Sequence, residues 1–229
     1  MNIQAVIFDF DGIVVDSEPL HHRAFDRVLA PMGLGISWDT YRDVYLGFDD
    51  RDVFRERFKR ESRVLDADLL RRLMADKARA FVDIVRAGGV TPYPGVVALI
   101  RLLSQRLPIA ICSGALQSDI DPILDILGLT GVFPVMVTAD QVHVSKPDPE
   151  SYRRAVERLQ QLFPGRVTEA ARCVAIEDTP AGITAATGAG LKTLAVSNTY
   201  SGAELDMAHH IVDSLATVDL DLLDRIASV

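Results

Sequence analysis

The chain has 229 residues, of which 48% are hydrophobic, enough for one large domain or for a domain with an insert. A net charge of −8, from 24 basic and 32 acidic residues, argues against nonspecific binding to nucleic acid. No apolar run reaches the ~18 residues of a membrane helix, and no basic-then-apolar leader precedes the first element. With Cys112 and Cys173 in separate apolar runs, a cytoplasmic protein with reduced core cysteines is expected.

Residues 5–8, Ala-Val-Ile-Phe, form an apolar run without polar alternation, the pattern of a strand buried on both faces. Asp9-Phe10-Asp11-Gly12 follows at once. Two carboxylates one residue apart at the carboxyl end of a strand stand where open α/β sheets bind ligands. Such close acids repel, and burial would raise their pKa values. A bound cation or a shared proton relieves that; solvated turn residues are the plainer reading of the pair alone.

Helical spacing follows over 18–30, with Leu20, Ala24 and Val28 on one face beside Phe25 and Leu29, until Pro31, Gly33 and Gly35 break it. Ser37 is placed to cap a short helix through Leu46, with Gly47 at its end. Asp50 or Asp52 starts another helix, carrying Val53, Phe54 and Phe58, and Asp66 caps a third that runs to about Ala87. Gly88-Gly89 stops it. No strand is predicted between Val15 and Val90, so residues 16–88 read as an all-helical insert. They hold 14 acids and 14 bases, against 18 and 10 in the remainder. Most of the insert's arginines read as solvated helix faces, and its two lysines, Lys59 and Lys77, stand amid polar helical sequence.

From Val90 the pattern alternates. Apolar strands are predicted over 108–112, 135–137, 173–176 and 194–196, with a short sixth at 211–212 and helices between them. That alternation predicts an α/β fold, a Rossmann-like parallel sheet core with helices on both faces. The core comprises residues 1–15 and 89–229. The segment 197–208 has no assigned role.

In a parallel sheet the carboxyl ends of the strands face the same way. They carry Asp9 and Asp11, then Ser113 and Gly114, then Lys146, then Glu177-Asp178. Singly, Ser113 reads as a helix cap, Lys146 as a surface lysine and Glu177-Asp178 as caps before Thr179-Pro180. Together they converge on one crevice. Oxygen donors without His or Cys select a hard cation such as Mg²⁺. An aspartate there can attack phosphorus, a second acid can move the proton, and a hydroxyl, N–H groups and a lysine can balance the transferring charge.

These residues resemble the four motifs of the haloacid dehalogenase superfamily, in the group with a helical C1-type cap inserted after the first strand: Asp9-Phe-Asp-Gly-Ile-Val-Val-Asp-Ser-Glu, Ser113, Lys146-Pro-Asp-Pro-Glu, and Glu177-Asp-Thr-Pro-Ala-Gly-Ile. The resemblance spans nearly the whole chain. It implies Asp9 as nucleophile and Asp11 as general acid/base. It implies Mg²⁺ held by Asp9, by the backbone carbonyl of Asp11, by Asp178, and by Glu177 directly or through water. Ser113, Gly114 and Lys146 would bind the phosphoryl group, and the insert would cover the site and choose the substrate.

Asp11 weighs against dehalogenation, and neither insert lysine suggests the Schiff-base chemistry of a phosphonatase. In Asp16-Ser17-Glu18 and His21 the chain is similar to β-phosphoglucomutase and related sugar-phosphate phosphatases. Gly47-Phe-Asp-Asp-Arg51 resembles the mutase loop that meets a second phosphate, offset by about one residue, with Arg51 reading equally as a helix-start surface residue. The expected function is Mg²⁺-dependent hydrolysis of a small phosphomonoester, a sugar or polyol phosphate, through an aspartyl-phosphate. A phosphohexomutase is the alternative, and an inactive phosphate-binding regulatory protein the non-enzymatic one. A monomer without nucleic-acid or membrane partners is expected.

Overall fold

The computed structural model describes residues 1–46 and 48–228. Gly47, expected to end a helix and to open the mutase-like loop, lies outside the described residues. Six short strands make one parallel sheet: β1 (Ala5–Phe8), β2 (Ile109–Cys112), β3 (Val135–Val137), β4 (Cys173–Glu177), β5 (Lys192–Val196) and β6 (His210–Val212). Their order is β3-β2-β1-β4-β5-β6. β1, β2 and β4 are buried along their whole length, which is why their sequences show continuous apolar runs rather than alternation. β1 lies between β2 and β4, with Phe8 level with Ile111 on one side and Ile176 on the other. The strand order therefore departs in both directions from β1, and the crevice of such a sheet opens at its carboxyl end. β4 runs one residue past its expected end because Glu177 pairs with Ala195 of β5. The Glu177 side chain is fully buried there.

The chain divides into two compact units, Met1–Asp16 with Thr91–Val229, and Ser17–Val90. The second unit contains α1 (Glu18–Leu29), α2 (Trp38–Thr40), which continues as a wider π turn over Tyr41–Tyr45, α3 (Asp50–Arg60) and α4 (Ala67–Arg86). No strand occurs in it among the described residues. It has a core of its own, in which Phe25 and Leu29 pack with Tyr45, Phe54, Phe58 and Leu73. Asp66 accepts from Leu69 N–H at 2.7 Å as the cap of α4, a contribution of about 1 kcal/mol. The cap of α3 is Asp49, not Asp50 or Asp52: Asp49 is extended and accepts from Asp52 N–H at 2.8 Å. Lys77 is corrected as well. It is fully buried on α4, paired with Asp50 at 2.8 Å, with the rings of Phe25 and Phe81 within 5.2 Å.

In the first unit, α5 (Val96–Ser104), α6 (Gln117–Ile126), α7 (Glu150–Leu162), α8 (Pro180–Gly188) and α9 (Leu220–Ile226) accompany the sheet. Tyr152, Ala155 and Leu159 of α7 and the small residues Ala185 and Ala186 of α8 pack with β1, β2 and β4. Cys112 and Cys173 are both free and buried in this core. No helix among the described residues is long and apolar enough to cross a membrane.

Candidate active site

Asp9 follows the last residue of β1, and its N–H bonds Ile176 O at 2.9 Å, which carries the ladder one step beyond the strand. Gly12 then turns with φ +78°, a conformation that costs a residue with a Cβ but not glycine. A side chain there is also barred by space, because a Cβ on Gly12 would stand 1.8 Å from Asp178 Oδ2. The first and fourth strand ends thus touch through a glycine.

Three carboxylates, Asp9, Glu177 and Asp178, bring one oxygen each to within 4.8 Å of one another, all buried. Lys146 lies among them, 3.0 Å from Asp9 Oδ1 and 2.6 Å from Glu177 Oε1, and it donates to Cys112 O at 3.0 Å. Asp11 points elsewhere: Ser113 Oγ–H donates to its Oδ2 at 3.4 Å and accepts from Ala115 N–H at 2.9 Å. Ser113 is not a helix cap, since α6 starts at Gln117 with Leu116 before it. Gly114 is exposed at the end of β2 with open space beside it. The fourth motif does not cap α8 through its acids. Thr179 does so, accepting from Gly182 N–H at 3.0 Å.

The electrostatics follow from this packing. Burial, and next the charge of Glu177, hold Asp9 well above the usual carboxylate range, against the pull of Lys146. Burial pushes Asp178 up to about 7, with the hydrogen bond from Thr199 opposing and Glu177 adding to the rise. Burial alone would depress Lys146, but Asp9 and Glu177 reverse the shift and keep the ammonium charged. Three buried carboxyl groups thus share a single lysine, and Asp178 Oδ1 is buried without a hydrogen-bond partner. An all-oxygen donor set with an unsatisfied buried carboxylate oxygen fits a hard divalent cation.

Glu177 is engaged on both oxygens. Beyond Lys146, its Oε1 accepts from Tyr152 OH at 2.7 Å, and its Oε2 from Thr179 Oγ at 3.3 Å. A Cβ on Gly182 would lie 2.0 Å from this carboxylate, so the glycine makes the room that Glu177 fills. Tyr152, Thr179, Gly182 and Thr199 escape the sequence reading. Tyr152 sits at a core position of α7 and reads as packing; Thr179 before Pro180 is a recognisable helix start.

In the helical unit His21 stacks on Phe81 with ring centroids 4.4 Å apart, and its Nδ1 accepts from Lys77 Nζ at 2.8 Å. Its neighbour His22 bonds Ile36 O at 2.7 Å and packs on Trp38 and Tyr41, a structural duty. Arg51 is exposed in the first turn of α3.

A parallel sheet with acids at the ends of its first and fourth strands, and a lysine between them, defines the haloacid dehalogenase-like hydrolases. The model of that family matches residues 6–196, and the chain belongs to it. Among curated relatives it is 32% identical to a phosphorylated carbohydrates phosphatase of Thermotoga maritima, over 84% of each chain. It is 31% identical to the plasmid-encoded protein CbbY of Cupriavidus necator, over 88% of this chain and 81% of that one. The crystal structure of CbbY from Rhodobacter sphaeroides in complex with phosphate superposes with a TM-score of 0.83 at 27% identity, covering 97% of this chain and 99% of that one. A β-phosphoglucomutase from Clostridium difficile, 22% identical, shares the fold over 99% and 97% of the two chains with a TM-score of 0.78.

Proposed function

We propose that this protein is a phosphatase of small phosphomonoesters, sugar phosphates in particular, which works through an aspartyl-phosphate on Asp9 and requires Mg²⁺. The observation that carries the reading is the buried Asp9 carboxylate, 3.0 Å from Lys146 and clustered with Glu177 and Asp178, with a second acid, Asp11, two residues on. The phosphorylated-carbohydrate activity in the name of the Thermotoga relative and the phosphate bound by the Rhodobacter one support the substrate class.

Asp9 and Asp178, with the backbone carbonyl of Asp11, would hold the cation, and Glu177 would act beside them through its grip on Lys146. When bound, the ion neutralises charge on the phosphoryl oxygens and on the attacking carboxylate. The remaining work falls to side chains. An Asp9 oxygen attacks phosphorus and the ester oxygen leaves with a proton from Asp11. Asp11 then takes a proton from the water that attacks the aspartyl-phosphate, releasing phosphate and restoring Asp9. Lys146, Ser113 Oγ–H and the Gly114 N–H balance the charge on the transferring group. Substrate choice falls to the helical unit, with His21 and Arg51 as its contributors.

The test is a panel of phosphomonoesters scored for free phosphate and for isomerised sugar phosphate, with and without EDTA. Phosphate release that EDTA stops and Asp9→Asn abolishes is the expected result. Isomer without phosphate would replace hydrolysis by phosphohexose mutation, and turnover undiminished in Asp9→Asn would remove the nucleophile assignment.

A further inference from the structure

The segment after β5 begins with Ser197-Asn198-Thr199, which no motif accounts for. It is pinned to the sheet edge. Ser197 N–H bonds Val212 O at 3.0 Å, Asn198 N–H bonds Val196 O at 2.9 Å, and Ser197 Oγ–H donates to Asp213 Oδ1 at 3.0 Å. From that anchorage two side chains reach into the site. Asn198 Nδ2 donates to Gly12 O at 2.7 Å, and Thr199 Oγ–H donates to Asp178 Oδ2. One end of the pair holds the turn that carries Asp9 and Asp11, and the other holds the carboxylate of the fourth motif.

We infer that Asn198 and Thr199 are positioning residues for a divalent cation, a clamp that sets the first and fourth motifs at ligand spacing before the ion arrives. The inference rests on the metal-dependent reading above. Asp178 has two acidic neighbours, Asp9 and Glu177, with an oxygen of each within 4.8 Å, and their repulsion favours swinging its carboxylate away. Thr199 opposes that by occupying Oδ2 with a charge-assisted hydrogen bond. Gly12, having no side chain, leaves the room that this oxygen fills. Oδ1 is thereby left inward, buried and without a partner, as the oxygen presented to the cation. Mg²⁺ demands near-ideal placement of its ligands, so an oxygen held in place ahead of binding raises affinity. Partners of this kind are worth about 10- to 100-fold in metal affinity.

Thr199 is exposed, so its replacement takes little from the core. The experiment titrates Mg²⁺ into the full-length protein without substrate, by calorimetry, for the wild type, Thr199→Val, Thr199→Ser and Asn198→Ala. Metal-free melting curves run alongside. Thr199→Val keeps the shape and removes the donor. It should bind Mg²⁺ about 10-fold or more weakly with an unchanged metal-free melting temperature, and Thr199→Ser should restore the affinity. Asn198→Ala, which frees Gly12 O, should weaken binding in the same direction. In turnover assays the Thr199→Val defect should shrink as Mg²⁺ is raised, with KM for the phosphomonoester unmoved. Wild-type affinity in both Thr199→Val and Asn198→Ala overturns the inference and leaves the phosphatase reading standing. A wild type that binds Mg²⁺ more tightly than Thr199→Val but releases no phosphate upholds the clamp and removes the phosphatase. A wild type that binds no Mg²⁺ removes both.

Discussion

Lys77 donates a hydrogen bond to His21 Nδ1 at 2.8 Å inside the helical unit, and its ammonium is paired on another side with Asp50 at the same distance. An ammonium has only donors, so the bond requires a neutral His21 with its proton on Nε2. Burial, and then the Lys77 charge, hold the His21 imidazole well below the ordinary histidine range. The unfolded chain therefore binds a proton that the folded chain refuses. The stability that His21 contributes is fully present above the unfolded pKa and falls as pH drops below about 6.5, by at most ~1.4 kcal/mol per pH unit for one proton. Asp9 and Asp178, whose pKa values are raised, contribute the opposite slope in the same window, so the test is a difference. In urea denaturation between pH 7 and pH 5 the wild type should lose more stability on acidification than His21→Asn, which keeps an acceptor for Lys77 without titrating. An equal slope in both proteins would assign the acid sensitivity to other groups.

The same lysine tests how the helical unit tolerates a buried charge. Lys77→Ala leaves Asp50 without its cation and empties space between Phe25 and Phe81, a loss of about 3–5 kcal/mol. Lys77→Met refills the space and should recover part of it. Chemical denaturation ranks the three proteins, and equal stability of Met and Ala variants would show that packing of the stem contributes nothing.

Asp9 carries a cost in the metal-free protein, because burial and the neighbouring acids raise its pKa. Near neutral pH Asp9→Asn should therefore melt higher than the wild type without Mg²⁺, by a few degrees for a gain of about 1 kcal/mol. It should gain less from added Mg²⁺ while losing activity by about 10³-fold or more. A lower metal-free melting temperature would mean that the ion pair with Lys146 outweighs the repulsion.

Gly182 has a sharper prediction. A methyl group there would stand 2.0 Å from the Glu177 carboxylate, and that carboxylate positions Lys146 at 2.6 Å. Gly182→Ala should cost about 1–3 kcal/mol through overpacking and lower kcat, because Lys146 moves with Glu177. Tyr152→Phe, which removes one bond to Glu177 without a clash, should cost about 1 kcal/mol and less activity. If Gly182→Ala folds and turns over normally, Glu177 has room to move without consequence.

The strand ends were legible because a doubly buried strand writes its own length as an apolar run and the polar residues begin where it stops. Asp9, Ser113 and Asp178 announce themselves that way. Asp66 as a cap was readable for a similar reason, being a short acid directly before a helical period. The exact cap of α3 was not, since Asp49, Asp50 and Asp52 carry the same side chain and only the extended backbone at Asp49 separates them. Lys77 read as a polar-face residue because charge in a sequence says nothing of a partner such as Asp50, 27 positions away.

By itself the sequence determined the parallel α/β plan, the helical insert, and the acids and lysine at the strand ends, since all of these follow from local periodicity and from the residue at each break. Tertiary structure alone decided their division of labour. Glu177 turns inward to hold Lys146 and Tyr152, Asp11 turns to Ser113, and Asp178 is fixed between Gly12 and Thr199. Those choices depend on what the sheet brings beside each carboxylate from residues as far as 186 positions apart, as with Asn198 and Gly12. Hydrogen bonds and steric limits act over a few ångströms of space, a distance that spacing along the chain does not record.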